Sequence, residues 1–156
     1  MSPEELMRLA IAKAREGIAK GQSPIGCAIA RDGKLLAVSH NVVLLTTDIT
    51  AHGEITAIRE ACRAIGSIEL TGAMVATTLE CCPMCAAALH WARVDTIYQG
   101  ATIADAQQAG FNELPIPAAE LLRMGGSPVK VVPGILVEEC RQLFGEWRAH
   151  PSSRAY

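Results

Sequence analysis

No stretch of this 156-residue sequence carries the roughly 18 consecutive apolar residues needed to span a bilayer. The N-terminal MSPEELMRLAIAKAREGIAKG also lacks the uninterrupted apolar segment of a signal peptide, because charges break it every few positions. A cytoplasmic protein without a membrane partner is the expectation. Excess positive charge is missing too: 14 Lys and Arg stand against 16 Asp and Glu, a formal net charge of −2. Such a chain has no general attraction for a phosphate backbone, so nucleic acid is a disfavoured partner. Charged residues make up only 19% of the chain and apolar residues 50%, which excludes a disordered polyelectrolyte. The apolar surplus leaves surface that another subunit could cover. No internal repeat, low-complexity tract or linker interrupts the chain, and its length suits one domain over 1–156 with a single core.

What is present alternates between two periods. Ser2 can cap, and Pro3 can open, an amphipathic helix over 3–20 that Gly21 ends. Residues 25–30 and 35–39 read as strands joined by the tight turn Arg31-Asp32-Gly33-Lys34. A polar loop to about Thr50 precedes a helix over 51–65, stopped by Gly66. Residues 73–78 form a predicted buried strand, 82–92 a helix and 94–100 a further strand. A loop punctuated by Gly and Pro holds a short helix over 117–124, followed by a strand over 129–132 and a last helix over 136–147. Strands alternating with helices point to an α/β or α+β sheet with helices packed on it.

The six cysteines are Cys27, Cys62, Cys81, Cys82, Cys85 and Cys140. In a reducing compartment, clustered cysteines suggest metal or redox chemistry before disulfides. Three of them fall within 81–85, downstream of His52-Gly53-Glu54. One imidazole and two thiolates, from His52, Cys82 and Cys85, suit Zn²⁺ and leave the fourth tetrahedral position for a water, which is the catalytic pattern. All three belong to predicted helix starts, where partial positive charge and unpaired N–H groups favour a thiolate. Glu54 follows the histidine too closely to be a further ligand, but it can reach that water as a proton carrier. Two alternatives stand beside this reading: a structural zinc closed by Cys81, and a redox pair that would leave His52 and Glu54 idle. Cys27, Cys62 and Cys140 fall in predicted strands and helices and read as packing thiols.

His-x-Glu followed by Cys-x-x-Cys is the signature of zinc nucleobase deaminases, which need an activated water, a proton carrier and exit of ammonia. The chain resembles the cytidine deaminase superfamily over nearly its whole length, first the short bacterial guanine deaminases and second fungal-type cytosine deaminase. The resemblance rests on residues 23–29 (SPIGCAI), Asn41, residues 50–59 (TAHGEITAIR) and residues 84–93 (MCAAALHWAR). It continues in residues 109–113 (AGFNE), residues 144–148 (FGEWR) and the final Tyr156. It implies a three-layer α/β/α fold around a central mixed sheet of about five strands. It further implies one zinc per chain and a homodimer whose C-terminal part is exchanged between subunits. Asn41, Gly53, Trp91 and Tyr156 are then expected to hold or enclose the base, and Glu113 to join Glu54 in catalysis. Cys81 stands where a proline is usual, Asn112-Glu113 where two aspartates are typical, and Ile25 where guanine enzymes carry an aromatic residue. The middle glycine of His52-Gly53-Glu54 is the cytosine deaminase form. Guanine is the expected free base, cytosine the alternative, and a tRNA adenosine deaminase the reading on nucleic acid.

Overall fold

Two left-handed residues, Asp32 (φ 51°) and Gly33 (φ 74°), close the hairpin that starts the sheet. They join β1 (Gly26–Arg31) to β2 (Lys34–His40), with Arg31 opposite Lys34. The computed structural model describes residues 1–156. β3 (Met74–Leu79) pairs antiparallel with β1, β4 (Thr96–Ala101) parallel with β3, and β5 (Lys130–Val132) parallel with β4. The sheet is therefore mixed, five-stranded, and ordered β2-β1-β3-β4-β5.

Alternation along the strands supplies both faces with apolar groups. Ala28, Ala30, Ala76 and Leu79 face α1 (Pro3–Ala19) and α7 (Val137–Ala149), where Leu6, Met7, Leu143 and Trp147 are buried. Cys27, Ile29, Val75 and Ile97 face α3 (Gly53–Ile65), α4 (Pro83–Trp91) and α6 (Ala118–Met124), through Ala57, Ala86, Leu89 and Leu122. This is the expected three-layer α/β/α arrangement. α1 starts as its sequence dictates. Glu5 N–H donates to Ser2 Oγ at 3.1 Å, and Ser2 N–H donates back to Glu5 Oε2 at 2.7 Å. Gly26 lets α1 lie on the sheet, because a Cβ there would run into the backbone carbonyl of Ala10.

Two short helices fall where only loop was expected, α2 (Val43–Thr46) and α5 (Ile103–Gln108). The second carries its own capping box between Thr102 and Asp105, a signal present in the sequence. α3 and α4 each begin one or two residues later than expected, which makes His52 and Cys82 their N-caps. No helix is long and apolar enough to cross a membrane.

Candidate active site

The N-termini of α3 and α4 converge beside the C-terminal end of β3, the usual place for a site on such a sheet. His52 and Cys82 are extended N-cap residues whose side chains make no capping hydrogen bond, so both are free to point into the gap between the helices. Cys85 sits one turn into α4, on the same side as Cys82. The ligand atoms of His52, Cys82 and Cys85 lie within 4.8 Å of one another. His52 Nδ1 is 3.6 Å from Cys82 Sγ and 3.5 Å from Cys85 Sγ. A tetrahedral zinc with bonds of about 2.3 Å to sulfur and about 2.05 Å to nitrogen would separate these atoms by about 3.6 Å. The donor set and its spacing fit the ion. Cys82 has its pKa pushed down to about 4, chiefly by a hydrogen bond from Cys85, with His52 adding to the effect. The same bond, with burial second, pushes Cys85 up.

Glu54 is buried on the first turn of α3. Thr77 Oγ1, from β3, donates to its Oε1 at 2.8 Å, and Cys85 Sγ lies 3.5 Å from its Oε2. Burial raises the carboxyl above its ordinary range, and the nearby His52 offsets part of that rise. A carboxyl with raised proton affinity beside the ligand cluster is equipped to take a proton and return it. Thr77 escaped the sequence reading. Its signal was a polar pair, Thr77-Thr78, in an otherwise apolar buried strand.

A cavity of about 290 Å³ opens over this cluster. Glu113 lines it and is half-buried; burial first, and the charge of Cys82 second, raise its pKa to about 7. Glu80 also lines the cavity, and its Oε2 accepts from the Ile103 N–H at 3.1 Å, which ties the Cys82 loop to α5. The sequence reading passed over Glu80, although it is an acidic residue just ahead of the ligand cysteines. Phe111 forms part of the wall, and no Lys or Arg lines the cavity.

Tyr156 reaches the cavity of its own chain. Its carbonyl oxygen accepts from the Asn112 N–H at 2.9 Å, and its ring meets Phe111 edge-on at 5.5 Å. Its hydroxyl accepts from Asn41 Nδ2 at 2.6 Å. The tail thus covers the cavity of this chain. Beyond α7, residues 150–156 turn back past Gly21, near Ser152. Asn41 is fully buried, and its Oδ1 accepts from the Val43 N–H at 3.0 Å. Gly53 is not a pocket wall. It lets α3 approach the sheet, since a Cβ would stand 3.3 Å from the Ile25 carbonyl and 3.4 Å from the Asn41 nitrogen.

Trp91, expected to hold or enclose the base, does not reach the cavity of its own chain. It is the last residue of α4, 81% exposed and outside the cavity. Nine residues separate Cys82 from Trp91, so the helix carries the indole roughly 13 Å along its axis from the ligands. Cys81 is buried and is not in the ligand cluster, so it does not close the site as a fourth ligand.

Residues 1–101 match the family model of the cytidine and deoxycytidylate deaminase zinc-binding region. Guanine deaminase of Bacillus subtilis is 39% identical over 114 residues, which is 72% of this chain and 73% of that protein. The tRNA-specific adenosine deaminase of Bacillus subtilis is 36% identical over 141 residues, 90% of this chain and 85% of that protein. The solved structure of guanine deaminase from Nitrosomonas europaea superposes with a TM-score of 0.87 at 26% identity, covering 95% of this chain and 85% of that one. The helix-start ligands, the buried glutamate beside them and these matches agree. This chain belongs to the cytidine and deoxycytidylate deaminase zinc-binding family.

Proposed function

We propose that this deaminase acts on a free nucleobase, with guanine as substrate and xanthine and ammonia as products. One observation carries the choice of a free base over a phosphate-bearing substrate. Three carboxylates, Glu54, Glu80 and Glu113, line a cavity of about 290 Å³ that contains no Lys or Arg. A nucleotide or an RNA strand would place its phosphates against negative charge with no cation to meet them. The volume is at the small end of the roughly 300–1,000 Å³ range of ligand sites, which suits one heterocycle.

Zinc, when bound by His52, Cys82 and Cys85, supplies the Lewis acid that makes water nucleophilic at neutral pH. Glu54 takes a proton from the attacking water, and Thr77 holds the carboxylate in place for that transfer. The water oxygen bonds to the ring carbon, the carbon–nitrogen bond breaks, and Glu54 returns its proton toward the departing ammonia. Glu113 faces the same space, and as a carboxylate it accepts from the adjacent N1–H and N2 amine of guanine. Tyr156, held by a hydrogen bond from the buried Asn41, closes over the base, and Phe111 adds an apolar wall. Cytosine is smaller and leaves a gap where the five-membered ring would sit. The enzyme works as a homodimer, consistent with its apolar surplus.

A second reading has its own support: the tRNA-specific adenosine deaminase of Bacillus subtilis aligns over 90% of this chain. Ammonia release from guanine, cytosine, adenosine and an anticodon stem-loop RNA separates the readings. Turnover of guanine with little from the others supports the proposal, and turnover confined to the RNA replaces it.

A further inference from the structure

β3 and β4 run parallel and stay paired to their ends, with Leu79 opposite Ala101. Beyond that pair the two chains part. The β3 chain runs through Glu80 and Cys81 to Cys82, the N-cap of α4 and a member of the ligand cluster. The β4 chain runs through Thr102 into α5, and from there past Gly110 to Phe111, Asn112 and Glu113. Both branches end on the same cavity, one with Cys82 and the other with Glu113.

Glu80 bridges this fork. Its N–H donates to the Ala101 carbonyl at 2.8 Å, and its Oε2 accepts from the Ile103 N–H at 3.1 Å. Ile103 is the first residue of α5, so its N–H has no partner inside the helix. The capping box serves the N–H groups of Thr102 and Asp105 and leaves that of Ile103 to Glu80. A carboxylate at a helix N-terminus makes a stronger bond there than a neutral acceptor would. Other ties of α5 and its loop lead away from the ligand cluster, toward α7. Arg141 donates to Asp105 at 3.2 Å on the surface, where such a pair contributes little, and Phe111 rests 5.2 Å from Trp147.

We propose that Glu80 is a positioning residue: its carboxylate clasps the start of α5 to the exit of β3, and so fixes the Glu113 loop relative to the ligand loop. Hydrolytic attack needs the base, met by Glu113, and the activated water in a near-attack geometry, and a misplacement of about 1 Å costs on the order of 10²-fold in rate. Glu80 also lines the cavity, so direct contact with the base is the competing role. The kinetic arm of the test below rests on the deaminase reading, and the exchange arm does not.

Kinetics are measured on the zinc-loaded protein with whichever of guanine, cytosine, adenosine or the stem-loop RNA the wild type deaminates. Glu80→Ala is expected to lower kcat about tenfold to a hundredfold with KM within about threefold of wild type. Glu80→Gln keeps an acceptor for the Ile103 N–H and is expected to regain most of that loss. Ile103→Pro removes the donor instead. Proline is accepted at the first helical position, and Thr102 is already extended (φ −99°, ψ 163°), so α5 keeps its start. This change is expected to reproduce the kcat loss, whereas Ile103→Ala, which keeps the N–H and controls for the buried side chain, retains wild-type kcat. The double variant Glu80→Ala/Ile103→Pro is expected to fall no lower than the slower single one, because both changes break the same bond. A KM that rises while kcat holds, a Glu80→Gln protein as slow as Glu80→Ala, an Ile103→Ala protein as slow as Ile103→Pro, or losses that multiply in the double variant would each overturn the proposal. Hydrogen exchange read by mass spectrometry needs no turnover. Glu80→Ala is expected to speed exchange about tenfold or more across residues 103–113 and to leave α1 and β1 unchanged. Wild-type exchange across 103–113 overturns the clasp. Should Glu80→Ala not fold, the exchange profile of Ile103→Pro carries the same decision.

Discussion

Replacing Glu54 by glutamine removes one function and preserves the rest. The amide has nearly the volume of the carboxylate, so the buried first turn of α3 is neither overpacked nor hollowed. Its carbonyl oxygen can still accept from Thr77 Oγ1, the 2.8 Å contact that fixes the side chain in the wild type. His52, Cys82 and Cys85 are untouched, so zinc content stays at one per chain. Burial raises the proton affinity of Glu54, and a neutral amide avoids that desolvation cost, so stability is expected to stay level or rise by about 1 kcal/mol. What the amide cannot do is accept a proton from water or return one to the leaving amine. A single general acid–base group contributes about 10²–10⁴ in rate, and Glu54 serves both proton events, so the upper part of that range applies. The expected loss is about 10³–10⁴ in kcat, or about 4–5.5 kcal/mol of barrier. The assay is ammonia release by a glutamate dehydrogenase couple, with zinc measured by atomic absorption and folding by thermal denaturation. A zinc-loaded, folded Glu54→Gln protein within tenfold of wild type would refute the assignment of Glu54 as the proton carrier.

Glu113→Ala is expected to lower kcat/KM for guanine by about 10²-fold or more, because it leaves the two guanine donors without an acceptor; steady-state kinetics on guanine measure it. The pKa of Glu113 lies at about 7, and only the ionised form accepts from guanine. Wild-type kcat/KM should therefore rise between about pH 6 and about pH 8, and Glu113→Gln should flatten that limb. Deleting Tyr156 removes the hydroxyl that accepts from Asn41 Nδ2 and the ring that covers the base, so kcat/KM is expected to fall about tenfold with little change in melting temperature. Gly26→Ala drives a methyl group into the Ala10 carbonyl of α1 and is expected to cost about 3 kcal/mol, read by urea denaturation.

The chemistry of the site was more legible in sequence than its enclosure. His52, Glu54, Cys82 and Cys85 lie in two short motifs at predicted helix starts, so local geometry alone nearly determines how they meet. The order of strands and helices was legible for a similar reason: period-2 and period-3.6 segments are separated by residues that stop them, such as Gly66 after α3. α2 and α5 were not, because four and six residues are too few to display a helical period. Trp91 illustrates a different limit. The resemblance places a tryptophan at the end of the ligand helix, but whether an indole there faces its own cavity depends on the rotation of α4 against the sheet. That rotation is set by Cys85, Ala86 and Leu89 facing inward, which turns Trp91 out. The path of the tail was likewise hidden, since it depends on contacts with Phe111, Asn112 and Asn41, which are distant in sequence.

The central claim is that a zinc-dependent deaminase pocket without cations serves a free purine base. The most direct test is a competition: guanine and an anticodon stem-loop RNA are supplied together to the zinc-loaded protein, and xanthine and inosine are quantified by mass spectrometry over a range of salt concentrations. The account predicts xanthine as the product, at a rate nearly independent of salt, because no phosphate contact contributes to binding. Inosine formation that falls steeply as salt rises, with no xanthine, would contradict it.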